Sequence, residues 1–167
     1  MPLTRKSKII IPVALAVYIA DRLTKLVIMD NFGLDQSMPV IKGFFDITYV
    51  RNPGAAFSVF SSMPDSLRLP FFLALTLAAI AMLVFFVRQT RPEHTVTLVA
   101  LAMILGGAAG NLTDRLLYGS VVDFICWSVG RYHWPAFNIA DSGITVGCVL
   151  LGIEVFFGGK QAETSGP

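Results

Sequence analysis

Long apolar segments alternate with polar ones along this chain of 167 residues. Four apolar segments of about 18 to 21 residues occupy 9–29, 69–87, 95–112 and 137–157. At about 1.5 Å per residue, a helix of this length crosses the roughly 30 Å hydrocarbon core of a bilayer. The pattern therefore predicts four transmembrane helices. We expect the first to be a retained helix and not a signal peptide, because Asp21, Arg22 and Lys25 lie near its far end and no small-residue cleavage site follows.

The segment between the first two helices is too long to be only a connector. Residues 44–50 are rich in β-branched and aromatic side chains, 52–54 reads as a turn, and 55–60 resumes an extended pattern. We predict a small β-sheet over about 40–62 on the outer membrane surface, and a second outer loop over about 113–136. The predicted fold is an all-α membrane protein, a four-transmembrane-helix bundle with a small β-sheet, forming a single domain over 1–167.

Composition and charge agree with a membrane protein. The chain is 54% hydrophobic and only 14% charged, whereas a soluble domain is typically about 25% charged. The net charge of +2 is too small and too scattered to suggest nucleic acid as a partner. The positive-inside rule favours both termini in the cytoplasm, because basic residues flank the predicted inner ends of the helices, at Arg5, Lys6, Lys8, Arg88, Arg91 and Lys160.

This orientation brings the unusual polar residues to one depth, near the outer surface. Asp123 and Asp141 are the most informative, because ionisable groups at a membrane boundary are costly to place and are functional candidates. Two converging carboxyls can share one proton and activate a water. The alternative is structural: Asp141 would cap a helix, and Asp123 would be a solvated loop carboxylate.

Other polar residues fall at helical spacing. Asn111, Asp114 and Arg115 share one helical face, which suits either an ion pair that closes the helix end or a contact with a substrate carbonyl. Asp21 and Lys25 form an i,i+4 pair and are expected to neutralise each other.

Asn138 precedes Asp141 by three residues, so it either caps the fourth helix or orients the carboxyl. Small residues provide the expected helix contacts, in the Gly106–Gly110 segment and at Gly143, Gly147 and Gly152.

The residues alone leave several functional classes open. No HExxH, GxSxG or GxGD motif is present, and no nucleotide-binding pattern occurs. A peptidase, a proton-coupled transporter, a lipid-transfer enzyme and a noncatalytic assembly subunit all remain candidates. The gathering of carboxyls on one side favours the peptidase, since a transport route would spread them through the bilayer.

Five motifs in order resemble the bacterial lipoprotein signal peptidase family, also called signal peptidase II. They are DRLTK at 21–25, RNPGAAF at 51–57, GGAAGNLTDR at 106–115, VVDF at 121–124 and FNIADS at 137–142. The resemblance extends over about 9–157. Arg22 and Pro53 depart from the residues common in that family, and neither belongs to the carboxyl pair.

The resemblance implies an aspartic endopeptidase of the bacterial cytoplasmic membrane, with Asp123 and Asp141 as its catalytic dyad on the extracytoplasmic side. It also implies a diacylglyceryl-modified prolipoprotein as substrate, cut just before the modified cysteine. Membrane lipid and globomycin-type inhibitors are the other expected partners, with no cofactor or metal, and a monomer is expected. Substrate-binding positions would be Asn52, Gly54, Asn111, Arg115, Asn138 and Ala140, and structural ones Asp21, Lys25 and Asp114.

Overall fold

A computed structural model of the chain describes residues 4–54 and 63–157. The helices are α1 (Arg5–Asn31), α2 (Asp65–Gln89), α3 (Thr95–Tyr118) and α4 (Ile139–Phe157), and the strands are β1 (Ser37–Ile41), β2 (Phe45–Asn52), β3 (Val121–Val129) and β4 (Tyr132–His133). Each predicted helical segment overlaps one of these helices. The end of the predicted β region, at 55–62, lies outside the described residues.

Among the described residues, three helices are long and apolar enough to cross a membrane: Ser66–Gln89, Thr95–Tyr118 and Ile139–Phe157. The other helix, α1, has 27 residues, which corresponds to about 40 Å. Its sequence is interrupted by Asp21, Arg22 and Lys25. The described part of the chain is therefore mostly helical, with three candidate membrane helices where the sequence predicted four.

Helix α3 lies at the centre and packs against α1, α2 and α4. A Cβ atom on Gly106 would lie 2.5 Å from the carbonyl oxygen of Ala14 on α1. A Cβ atom on Gly107 would lie 2.4 Å from the carbonyl oxygen of Ala140 on α4. Neither approach leaves room for a side chain, so the predicted close packing of this segment is confirmed.

The glycines of α4 behave differently from one another. A Cβ atom on Gly147 would lie 2.7 Å from the carbonyl oxygen of Ala100, and one on Gly143 would lie 2.8 Å from the side chain of Val17. Gly152 has no atom within 4 Å of such a position. Close packing is therefore confirmed at the first two positions, and the prediction for Gly152 is wrong.

The predicted outer loop at 113–136 is largely regular structure. Residues 113–118 complete α3, which ends where Gly119 takes the left-handed conformation with φ 71°. Residues 121–129 form β3, inside a four-stranded sheet of order β1-β2-β3-β4 with antiparallel neighbours. The loop prediction was wrong because it gave too much weight to Asp123 and too little to the β-branched and aromatic residues around it.

The sheet docks on one end of the bundle. Ile28 of α1, Tyr49 of β2, and Val122 and Phe124 of β3 form a buried apolar cluster. Phe137, two residues before α4, is tied to the sheet as well, since its amide donates to the backbone oxygen of Ile125 at 3.1 Å and the Ile125 amide donates to the backbone oxygen of Phe137 at 2.8 Å. These contacts bring the start of α4 against β3.

Candidate active site

Asp123 on β3 and Asp141 in the first turn of α4 line the same cavity, of about 510 Å³. Asn138 links them. Its side-chain amide donates to Asp123 Oδ1 at 2.7 Å, and its Oδ1 accepts from the backbone amide of Asp141 at 2.9 Å. The Asp141 Oδ2 also accepts from the Asn138 backbone amide at 3.3 Å. The Asn138 side chain thus caps the start of α4 through its oxygen, which was one of its two predicted roles, and its amide contacts the carboxyl of Asp123, which the spacing did not predict.

Two further asparagines donate to the carboxyls. Asn52 Nδ2 donates to Asp123 Oδ2 at 2.9 Å, and Asn111 Nδ2 donates to Asp141 Oδ1 at 2.8 Å. The opposite end of the Asn52 amide is fixed because its Oδ1 accepts from the Gly54 amide at 2.9 Å. Amide donors thus surround the carboxyls and stabilise negative charge on them.

Asp123 is only 2% exposed, and burial raises its pKa from the usual range to about 7, with a further increase from the negative charge of Asp141. The hydrogen bonds from Asn52 and Asn138 and the charge of Lys25 act in the opposite direction. At neutral pH this carboxyl is therefore near the midpoint of its titration, which suits a group that must hold and release a proton.

The raised pKa predicts a pH-dependent stability that the Asp123→Asn variant lacks. An aspartate in the unfolded chain ionises near pH 4, so between about pH 4 and 7 the folded state binds more protons, and the stability from this group is full below that window and lost as pH rises through it. We expect the unfolding free energy of wild type, relative to Asp123→Asn, to fall by about 3 kcal/mol between about pH 5 and pH 8.

Thermal unfolding of both proteins across a pH series measures this change. A hydrogen-bond mismatch introduced by asparagine changes the unfolding free energy by an amount that does not depend on pH. The test is therefore how the difference between the two proteins changes with pH. A difference between the two proteins that stays constant with pH would contradict the assignment.

The predicted structural residues form a buried charge cluster behind the carboxyls. Asp21, Lys25 and Asp114 are each 0% exposed, and Lys25 Nζ lies 2.8 Å from a carboxylate oxygen of each aspartate. The Asp21–Lys25 pair was predicted from its spacing. The sequence did not reveal that Arg22 pairs with Asp114 on another helix, because no local pattern relates residues so far apart.

Arg115 does not pair with Asp114, which was one of the two interpretations of its position. Its guanidinium lies over the Phe72 ring at 5.5 Å and donates to the backbone oxygen of Asn111 at 3.4 Å. Arg115 and Gly54 also line the cavity, and a Cβ atom on Gly54 would lie 2.1 Å from Phe72. A side chain at position 54 would therefore collide with Phe72, and the guanidinium of Arg115 places a positive charge at the same cavity.

The other predicted binding residues divide into two sets. Asn52 and Asn111 line the cavity. Asn138 and Ala140 are 0% exposed and lie behind it, with the Ala140 amide donating to Asp21 Oδ1 at 2.9 Å. The apolar lining was not identified as part of a site from the sequence, and it comprises Phe72, Val121, Trp127, Trp134, Phe137 and Val146 among others.

Comparisons with known proteins agree over nearly the whole chain. The family model described as "Signal peptidase (SPase) II" matches residues 13–157. A lipoprotein signal peptidase of Syntrophus aciditrophicus (strain SB) is 44% identical over 149 residues, which is 89% of this chain and 91% of that protein. One from Bacillus pumilus (strain SAFR-032) is 41% identical over 153 residues, which is 92% of this chain and 96% of that protein.

A solved structure shows the same architecture. A bacterial membrane enzyme determined by the in meso method at 2.3 Å resolution has a TM-score of 0.79 and 34% sequence identity, and the match covers 93% of this chain and 90% of that one. A second, at 1.9 Å resolution, has a TM-score of 0.77 and 36% identity, over 88% of this chain and 92% of that one. With matches of this extent in sequence and in fold, the chain belongs to the signal peptidase II family.

Proposed function

We propose that this chain is an aspartic endopeptidase that removes the signal peptide from diacylglyceryl-modified prolipoproteins by cutting just before the modified cysteine. The observation that carries the proposal is the pair of carboxyls on Asp123 and Asp141, joined through Asn138 at the wall of one cavity. The names of the relatives, which are lipoprotein signal peptidases, support the substrate class.

The dyad supplies both an acid and a base, because two neighbouring carboxyls hold one proton between them more readily than two negative charges. Asp123, the more buried carboxyl, holds that proton. Asp141 takes a proton from a water whose oxygen adds to the carbonyl carbon of the peptide bond, while Asp123 protonates the carbonyl oxygen. This step gives a diol.

The diol then collapses and restores the dyad. The C–N bond breaks, the leaving nitrogen takes the proton from Asp141, and one diol hydroxyl returns a proton to Asp123. The products are a new carboxyl end on the signal peptide and a free amine on the cysteine. The amide donors of Asn52, Asn111 and Asn138 stabilise whichever carboxyl carries the charge in each step.

The cavity wall suggests how the substrate is held. Arg115 and Gly54 are proposed to contact the peptide backbone, since both line the cavity beside the dyad. Asn52 and Asn111 line it while holding the carboxyls, and Asn138 and Ala140 shape the site from behind. The apolar side, with Phe72 of α2 and Val146 of α4, suits the lipid chains, and a globomycin-type inhibitor would occupy the same space.

We further propose that α1 is the fourth crossing. Asp21 and Lys25 face the bundle interior and Arg22 is paired with Asp114, so the charges of this helix are compensated inside the protein. Lys6 at the start of α1 donates to the backbone oxygen of Arg88 at 2.9 Å, near the end of α2. This contact is expected if α1 and α2 cross the membrane in opposite directions. The basic residues at these helix ends favour the cytoplasmic side for both termini, which places the dyad on the extracytoplasmic side.

Cleavage of a lipid-modified precursor tests the proposed function. Purified protein in lipid is expected to shorten a diacylglyceryl-modified precursor, and mass spectrometry should show the modified cysteine as the new amino terminus. The matched control is the same precursor with this cysteine replaced by serine, which cannot carry the thioether-linked lipid and should stay intact. No cleavage of the modified precursor, or cleavage at another bond, would overturn the proposal.

A further inference from the structure

We propose that Lys25 is a positioning residue for the dyad, acting through the side-chain amide of Asn111, and that its role goes beyond neutralising buried carboxylates. The inference rests on the proposed function, because it concerns how Asp141 is held ready for the reaction. Lys25 itself touches neither carboxyl of the dyad within hydrogen-bonding distance.

The Lys25 ammonium has three donor hydrogens and three acceptors around it. Its Nζ lies 2.8 Å from Asp21 Oδ2, 2.8 Å from Asp114 Oδ2 and 3.1 Å from Asn111 Oδ1. Because an ammonium group donates only, each neighbour must present an oxygen to it. Lys25 is 0% exposed, so bulk water does not reach its ammonium group.

That constraint fixes the direction of the Asn111 amide. With Oδ1 held by Lys25, the Nδ2 end faces Asp141, and it donates to Asp141 Oδ1 at 2.8 Å. Asn111 Oδ1 also accepts from Asn138 Nδ2 at 3.2 Å, the same group that donates to Asp123. Without Lys25, this oxygen would keep only the 3.2 Å hydrogen bond from Asn138, so the Asn111 amide would be held less firmly against Asp141.

The other two acceptors of Lys25 reach the dyad through the backbone. Asp21 Oδ1 accepts from the amide of Ala140, the residue before Asp141, at 2.9 Å. Asp114 Oδ2 accepts from the amide of Val122, the residue before Asp123, at 3.1 Å. One buried cation therefore lies at the junction of the two elements that carry the carboxyls.

Arg22 provides a matched comparison on the same helix. Like Lys25, it is a cation that pairs with Asp114. Unlike Lys25, it has no hydrogen bond to Asn111 or Asp21 among those the structure gives for the described residues. If the cluster served stability alone, loss of either cation would lower the folded fraction without changing the rate of the molecules that remain folded.

The experiment compares Lys25→Gln and Arg22→Gln, which remove the same charge. We expect kcat of the folded Lys25→Gln enzyme to fall about 100-fold, with KM within about threefold, because a small misplacement of a reacting group has an effect of that size. For folded Arg22→Gln we expect kcat within about threefold of wild type. Size-exclusion chromatography and thermal unfolding give the folded fraction used to normalise each rate.

A second variant tests the same role without leaving an unpaired buried charge that could prevent folding. Asp21→Asn with Lys25→Met removes one anion and one cation, and asparagine at 21 still offers an oxygen to the Ala140 amide. Its kcat is expected to fall at least about 30-fold in the wild-type background but less than about threefold further in an Asn111→Ala background, since both changes then remove the same interaction. Rates that fall independently in the two backgrounds would overturn the role of Asn111.

Three other results would also overturn the inference. These are equal losses of kcat in Lys25→Gln and Arg22→Gln, wild-type kcat in the folded double variant, and failure of both Lys25 variants to fold while Arg22→Gln folds. An inactive wild-type protein would instead sink the proposed function, so the two failures are distinguishable.

Discussion

Replacing Asp141 with asparagine is expected to lower the rate of precursor cleavage by about 10⁴-fold, because an amide cannot take a proton from the attacking water. The asparagine oxygen can still accept from Asn111 Nδ2, which now donates to Asp141 at 2.8 Å, so the fold should persist. Asp123→Asn is expected to lose as much, since the dyad then lacks its acid. Cleavage per folded molecule is measured with the lipid-modified precursor.

Asp30→Asn is the matched control for these variants. Asp30 is an exposed carboxylate near the end of α1, so the same chemical change there should leave cleavage unaltered. A folded Asp141→Asn or Asp123→Asn enzyme with more than about 1% of wild-type activity could not be reconciled with acid–base catalysis by this dyad.

Adding one methyl group at Gly107 is expected to harm both stability and activity. The Cβ of Gly107→Ala would lie 2.4 Å from the Ala140 carbonyl oxygen and 2.8 Å from Ile144. The nearest atom is backbone, so α4 must move away from α3 and carry Asp141 with it. We expect a loss of about 1–3 kcal/mol in unfolding free energy, as for other overpacked cores, and a loss of up to about 100-fold in kcat.

Gly152→Ala makes the same change on α4 where a Cβ atom meets nothing within 4 Å. Alanine favours a helix over glycine by roughly 0.5–1 kcal/mol, so this variant should be as stable as wild type or slightly more. Thermal unfolding and kcat of the two alanine variants provide the comparison. Similar behaviour of both would show that the α3–α4 contact does not determine the position of Asp141.

The helices were predictable because length and apolar content dominate the signal of a bilayer-spanning segment. The residues at which the helices end were less predictable. The prediction ended α3 at Leu112, yet the helix continues through Asp114 to Tyr118. Asp114 faces the interior, where Lys25 and Arg22 compensate its charge, so a charged residue did not mark the end of the helix.

The strand β3 was missed for a related reason. Asp123 was treated as evidence for a polar loop, although the residues around it, including Val122 and Phe124, favour a strand. In the folded protein this carboxyl is buried between amide donors from Asn52 and Asn138. Sequence reasoning from local polarity cannot anticipate that compensation, since Asn52 is 71 residues away.

The proposed dyad itself was accessible from the chain, through the i,i+3 relation of Asn138 to Asp141 and through the family motifs. What the sequence could not supply was the hydrogen-bond direction at each asparagine. An Asn side chain offers a donor and an acceptor, and only its three-dimensional neighbours decide which end faces a carboxyl. For Asn111 that neighbour is Lys25, on another helix.

Asp123 belongs to a strand of the surface sheet, and Asp141 belongs to α4, the last helix in chain order. The two carboxyls therefore come together only where the sheet meets the bundle, and the paired backbone hydrogen bonds between Ile125 and Phe137 hold that joint. A change that loosens this joint would separate the carboxyls while leaving both aspartates in place.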